Sequence, residues 1–168
     1  MSTAFSARDF RTAMGQFATG VTVVTGLAPD GAEMAQPLGF VAQSFVSVSL
    51  EPPLIAICPG RQSTSWPLIR RRGDFAVNVL AADQRSLCEG FARSGGDKFS
   101  GINWTSGLRG LPLLAGAILQ VECSVAGEHE AGDHWIALGA FERLSLLRPD
   151  AAPLLFFRGG YPLLELPG

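Results

Sequence analysis

The chain has 168 residues, of which 47% are hydrophobic and 17% charged, with a net charge of −2; this is enough for one domain around a real core. The lack of a basic field excludes nucleic-acid binding as the main function. No apolar run approaches the roughly 20 residues needed to cross a bilayer as a helix, so no membrane partner is expected.

In chain order, Ser6 and Asp9 have the spacing of a capping box, and Phe10, Met14 and Phe17 recur at intervals of four and three, which predicts a short helix from Ser6. Residues 21–25 are β-branched and read as a strand. Residues 28–31, Ala-Pro-Asp-Gly, read as a turn. Residues 38–50 read as one or two strands, and the apolar run 54–58 as a buried strand between Pro-Pro and Pro-Gly. Ser63 or Thr64 is expected to cap a helix over residues 66–71, with Pro67 in its first turn. Residues 74–80 are a strand, Asp83 caps a second helix over 84–91, and a Gly-rich loop fills 94–110. Residues 118–125, 135–147 and 154–158 complete the strands.

About six to eight strands and two or three short helices that do not alternate argue against a doubly wound parallel sheet and for an antiparallel barrel with peripheral helices. No repeat or linker divides the chain, so residues 1–168 are expected to form a single domain. So apolar a chain with so few charges implies a large core or a surface buried against another copy, and a homodimer is expected. Cys58, Cys88 and Cys123 show neither disulfide-framework nor metal-ligand spacing. Together with an N-terminus that lacks a cationic and then apolar leader, they point to the cytoplasm.

Several catalytic signatures are missing. Gly15 to Gly20 has phosphate-loop glycine spacing, but Val21 stands where Lys is required, and no GxGxxG or GxSxG occurs. His129-Glu130 does not begin a zincin motif, since position 133 is Asp. What the chain does carry is small and hydroxylic. Ser63, Thr64 and Ser65 at a helix start, with Arg61 just before, fit either a phosphate site or simple capping. The run Gly39, Phe40, Val41, Ala42, Gln43 and Ser44 fits either a flat wall for a redox ring, with backbone donors and acceptors at Val41 and Ala42, or an ordinary strand with a bulge at Gly39. Asp97, Lys98 and Phe99 follow Gly95-Gly96, where a cation would meet phosphate or ribose, or solvent. Gly132 allows a tight turn, Asp133 would orient an imidazole, and His134 would project from a strand end toward a carboxamide, or stand exposed. Arg158, Gly159, Gly160 and Tyr161 offer a cation, open backbone and an aromatic face, or a terminal turn.

Taken in order, the segments FRTAMGQFATGVTVVT (10–25), SFVSVSLEPPLIAIC (44–58), STSWPLI (63–69), FAVNVL (75–80), FA (91–92) with DKFSGINW (97–104), GLPLLAGA (110–117), ECSV (122–125), GDHWIALG (132–139) and PLLFFRGGY (153–161) resemble the flavin reductase-like family with the FMN-binding split β-barrel fold. The resemblance implies a homodimer that oxidises NADH or NADPH, reduces FMN or FAD, and passes reduced flavin to a separate flavin-dependent monooxygenase. It implies that residues 41–45, including Phe45, line the isoalloxazine and that Ser63, Thr64 and Ser65 take the phosphate. Phe91, Ala92 and the loop of Asp97, Lys98 and Phe99 would border the ribityl or adenylate side. His134 would contact nicotinamide, and residues 158–161 would close over the dinucleotide. Many members carry Asn where this chain has Gln43, and Thr-Ala where it has Val41-Ala42; one hydroxyl donor beside the ring is therefore missing, and FMN or FAD stays open. The alternative is a flavin-binding split barrel without reductase activity, serving as a storage module or another oxidase.

Overall fold

The protein is described here from a computed structural model, which places residues 5–29 and 36–165. Helix α1 spans Ala7–Met14, capped by the expected Ser6–Asp9 box. It is followed by β1 (Thr19–Gly20), β2 (Thr22–Leu27), β3 (Pro37–Ala42), β4 (Val46–Leu50) and β5 (Pro53–Ile57). Then come α2 (Trp66–Arg72), β6 (Asp74–Val79), α3 (Arg85–Ala92), β7 (Trp104–Ser106), β8 (Pro112–Leu114), β9 (Leu119–Ala131), β10 (His134–Leu146) and β11 (Leu155–Phe156).

Seven of these strands form one antiparallel sheet in the order β3-β2-β6-β9-β10-β5-β4. Its two edges, β3 and β4, are consecutive in the chain and joined by Gln43, Ser44 and Phe45. Laid flat, seven strands would separate the edges by about 29 Å, whereas that link spans roughly 14 Å at most. The sheet must therefore curl until its edges nearly meet, which gives a barrel split along the β3/β4 seam.

Both faces of the central strands are covered, which explains why β2 is buried at every position. On one face Val24, Phe75, Val77, Val121 and Cys123 pack with Ile55, Ile57 and the α2 residues Trp66 and Ile69. On the other, Val23 and Leu80 pack with Cys88 and Phe91 of α3 and with Phe99. Phe99 stands edge-on between Phe91 and Trp104, at ring separations of 5.0 and 6.0 Å, which holds the loop before it against α3.

The fold departs from the sequence expectations at identifiable places. Asp83 does not cap a helix: its carboxylate pairs with Arg148, and the Gln84 side chain accepts the Ala81 N–H instead. The stretch 94–110 is not all loop, since Trp104–Ser106 pairs with Pro112–Leu114. With β1, β7 and β8 added, the strands among the described residues number 11, more than the sequence suggested; strands of two or three residues leave no periodicity to read. The predicted strand over 118–125 runs on to Ala131, past a register shift opposite Leu138/Gly139 that leaves Ala126 unpaired. Its Ala-Gly pair looks like a strand end but is a bulge. Residues 30 and 31 of the turn read at 28–31 lie outside the described residues.

Candidate active site

At the split seam lies a cleft of about 320 Å³ lined by residues 40–44, residues 58–60 and His134. Its floor is the free edge of β3. The Ala28 N–H donates to the Gln36 carbonyl, and β2 and β3 pair without a bulge. Antiparallel alternation then turns the backbone groups of residues 38 and 40 toward β2 and those of Gly39 and Val41 outward. The Gly39 carbonyl confirms the phase, because it accepts from Ser65 Oγ at 3.4 Å and Lys98 Nζ at 3.3 Å, both outside the sheet. Val41 therefore presents one donor and one acceptor at the open edge. The link after β3 is bolted in place where Ser44 Oγ accepts the Cys58 N–H at 2.7 Å; the Ser44 hydroxyl proton is left to donate elsewhere. Gln43 Oε1 accepts from Thr19 Oγ1 at 3.3 Å, which ties the link to β1.

His134 enters the cleft from the opposite wall. It begins β10 after the two-residue turn Gly132-Asp133, with Gly132 at a φ of 66° in the position where a hairpin needs a positive value. The tip docks onto the segment after β5: Arg61 N–H donates to Asp133 O, and Trp135 N–H to Pro59 O, each at 2.9 Å. His134 Nδ1 lies 2.8 Å from Asp133 Oδ1. A carboxylate only accepts, so Nδ1 carries the proton and Nε2 of the neutral ring is an acceptor. Nε2 faces Gly60, 3.8 Å from where a Cβ there would sit. The same hydrogen bond holds the Asp133 carboxyl below the usual carboxylate range.

A second cleft of about 210 Å³ adjoins the other end of β3, lined by residues 36–39, Thr64, Ser65 and Leu68, and residues 95–99. Ser65 spends its proton on the Gly39 carbonyl. Ser63 accepts the Trp66 N–H at 3.1 Å, caps α2 and keeps its own proton free to donate. Phosphate oxygens need donors, so the exposed Thr64, which lines the cleft with its hydroxyl uncommitted, is better placed than Ser65 to bind one, while Ser63 lines neither cleft. Lys98 Nζ bridges the Gly39 and Phe91 carbonyls at 3.3 and 3.0 Å, and burial lowers its pKa. Asp97 Oδ1 accepts the Phe99 N–H at 3.0 Å and shapes the loop.

The structure thus brings together Gly39, Val41, Ala42, Gln43, Ser44, Thr64, Ser65, Asp97, Lys98, Phe99 and His134 around two adjoining clefts. Other residues named from the sequence line neither. Phe45 packs against the barrel core, and Phe91 is fully buried against Gly39, where a Cβ would meet its ring at 2.7 Å. Ala92 ends α3 in an exposed position. The Arg61 guanidinium lies over Trp135 and near Glu130. Arg158 Nε donates to Gln16 at 2.8 Å, Gly159 and Gly160 complete that turn, and Tyr161 sits beside Cys88, Arg85 and Phe156. Sequence reasoning missed Cys58, Pro59 and Gly60, which read as a strand end; only the partner hairpin makes them a wall.

The molecule is thus an antiparallel barrel opened at one seam, with a cleft floored by unpaired backbone there and hydroxyls lining the second cleft beside it. The chain belongs to the flavin reductase-like family: the profile of the flavin reductase like domain matches residues 14–165. It is 47% identical over 162 residues to the reductase subunit HsaB of a flavin-dependent monooxygenase from Rhodococcus jostii, a match spanning 96% of this chain and 80% of that protein. It is 45% identical over 152 residues to a flavin reductase of Pseudomonas putida, spanning 90% of this chain and 86% of that protein. The solved structure of an NADH:FAD oxidoreductase of Streptomyces globisporus, in complex with NAD and FAD fragments, superposes with a TM-score of 0.86 at 35% identity, and the match covers 98% of each chain.

Proposed function

We propose that this single domain reduces FMN or FAD with NADH or NADPH and hands the reduced flavin to a separate monooxygenase. The observation that carries this reading is the free edge of β3. One cleft meets it at Gly39 and the other at Val41, two residues and roughly 7 Å apart. One elongated ligand laid along that edge would place a flat ring at the seam and a phosphate near Thr64.

The residues present fit a flavin. Val41 N–H and C=O match the alternating donors and acceptors of the ring edge, Ser44 has a proton to donate, and Thr64 supplies a hydroxyl for the phosphate. When bound, the flavin supplies the hydride acceptor and the nicotinamide the hydride donor. The protein's part is to hold the two rings face to face and keep water from between them. His134 Nε2 accepts from the nicotinamide carboxamide and sets which face of that ring looks inward. Lys98 stays on its two carbonyls and braces the phosphate cleft. Relatives named as reductase subunits of monooxygenases support transfer of the product to an oxygenase.

The protein acts as a homodimer in the cytoplasm. The dimer reading is supported by apolar side chains that the protomer leaves uncovered: Val46, Val48 and Leu50 along β4, Leu144 and Leu146 at the end of β10, and Phe10, Met14 and Phe17 on and after α1. The test of the function is direct. Purified protein mixed in air with NADH or NADPH should consume the nicotinamide only when FMN or FAD is added. A yellow protein that leaves the nicotinamide absorbance unchanged with every flavin would instead be the storage module.

A further inference from the structure

The hairpin tip that carries His134 reaches beyond the part of β9 that β6 supports, since that pairing ends at Ser124. Two backbone hydrogen bonds, from Arg61 N–H to Asp133 O and from Trp135 N–H to Pro59 O, tie its tip to the segment after β5. Side chains alternate across a strand, so Trp135 faces away from the cleft into which His134 points. There its ring meets two guanidinium groups, Arg61 Cζ at 5.1 Å and Arg70 Cζ at 5.7 Å from the centroid, both within cation–π reach. Both cations are tethered by carboxylates on the neighbouring strand. Arg70 pairs with Glu128, which also accepts from the indole N–H of the fully buried Trp66 at 2.5 Å. Arg61 pairs with Glu130 at 3.5 Å, and Glu130 stands directly opposite Trp135.

Holding two long Arg side chains over one indole costs rotamer entropy. Trp135 is only partly buried at the margin of the core that Trp66 and Ile69 fill. What the stack does immobilise is the residue next to His134. We propose that Trp135, gripped by Arg61 and Arg70, is a positioning residue that fixes the His134 imidazole over the cleft for nicotinamide. The proposal rests on the assignment of His134 to nicotinamide given above. It also gives Arg61 a role other than the phosphate contact expected from its place in the sequence.

The test is a double-mutant cycle on flavin-saturated protein, read by NAD⁺ affinity in calorimetry, by NADH KM and kcat, and by FMN affinity and circular dichroism. W135A should raise the NAD⁺ Kd and the NADH KM about fivefold, the size of one lost cation–π grip, with kcat and FMN affinity within about twofold. W135F, which keeps an aromatic face, should restore most of the loss. In an H134A background, W135A should add nothing further, because a residue that acts through another shows full coupling in the cycle. The proposal is overturned if folded W135A binds NAD⁺ as the parent does, if folded W135F loses as much affinity as W135A, or if the W135A loss is the same with and without His134. If H134A alone leaves NAD⁺ affinity unchanged, the assignment of His134 to nicotinamide fails first, and the proposal falls with it by a visibly different result.

Discussion

At the scale of single residues, the site rests on protons placed by neighbours. The His134–Asp133 contact decides which ring nitrogen is free to accept. H134A should raise the NADH KM or slow hydride transfer by about tenfold, the worth of one lost polar contact to the substrate, without changing the circular dichroism spectrum; an unchanged kcat/KM would remove His134 from the site. Asp133 is held below its ordinary value of 3.8, so its carboxylate contribution is present above that pH and is lost only as pH falls through the lowered value. NADH binding should therefore show no Asp133 step in the neutral range, whereas D133N should weaken it at every neutral pH, as titration of KM against pH would reveal. The thiols give an independent check. Burial pushes Cys123 up to about 12 and raises Cys88 as well, while Cys58 lines the open cleft. Alkylation of native protein at mildly alkaline pH should label Cys58 alone, and bound flavin should protect it. The raised Cys123 value also means that the unfolded chain sheds a proton between pH 9 and 12 that the folded chain keeps. Stability should fall with rising pH there by about 1.4 kcal/mol per unit for that thiol. The residue types of the site were legible in the sequence as hydroxyls, small residues and a His at a strand end. Which hydroxyls keep a proton to give was not, because that depends on the contact from Ser65 to the Gly39 carbonyl, which joins the start of α2 to β3 across the fold.

At the scale of elements, β3 is the central piece, an edge strand that lends its unpaired backbone to both clefts. An edge strand tolerates proline where the N–H points outward. V41P should therefore keep the fold but remove the ring-facing donor and weaken flavin binding by roughly tenfold, measured by fluorescence titration; loss of the whole β-sheet signal would mean that Val41 faces β2 instead. Gly39 is the opposite case. A Cβ there would sit 2.7 Å from the Phe91 ring and 3.2 Å from the Val24 carbonyl. G39A should then cost about 1–3 kcal/mol of stability through overpacking, and it should also disturb the carbonyl shared by Ser65 and Lys98. Strands, helix starts and the capping box were readable from local patterns. The extent of β9 and β10 was not: Ala126 and Gly127 break the pattern locally, and the hairpin past them is held by Pro59, Arg61 and Trp135, far apart in sequence.

At the scale of the whole molecule, curling the sheet places the two edges, and hence the two clefts, along one seam. The antiparallel, barrel-like class followed from strands that do not alternate with helices, and the motif order carried the family. The seam itself could not be read from local sequence, because it depends on a three-residue link joining strands at opposite ends of the sheet order. The uncovered β4 side chains, with Leu50 90% exposed, predict a dimer that sedimentation should detect, and V48E should shift it to monomer; a monomeric parent protein at high concentration would contradict that surface assignment. The central claim is that the seam stacks a dihydropyridine on a flavin ring. Its most direct measurement is anaerobic single-turnover mixing of flavin-loaded protein with NADH or NADPH, following the flavin absorption band. Rapid bleaching in the parent protein and markedly slower bleaching in folded H134A are the predicted result. A flavin band that persists with both nicotinamides, or that bleaches equally fast in H134A, would contradict it.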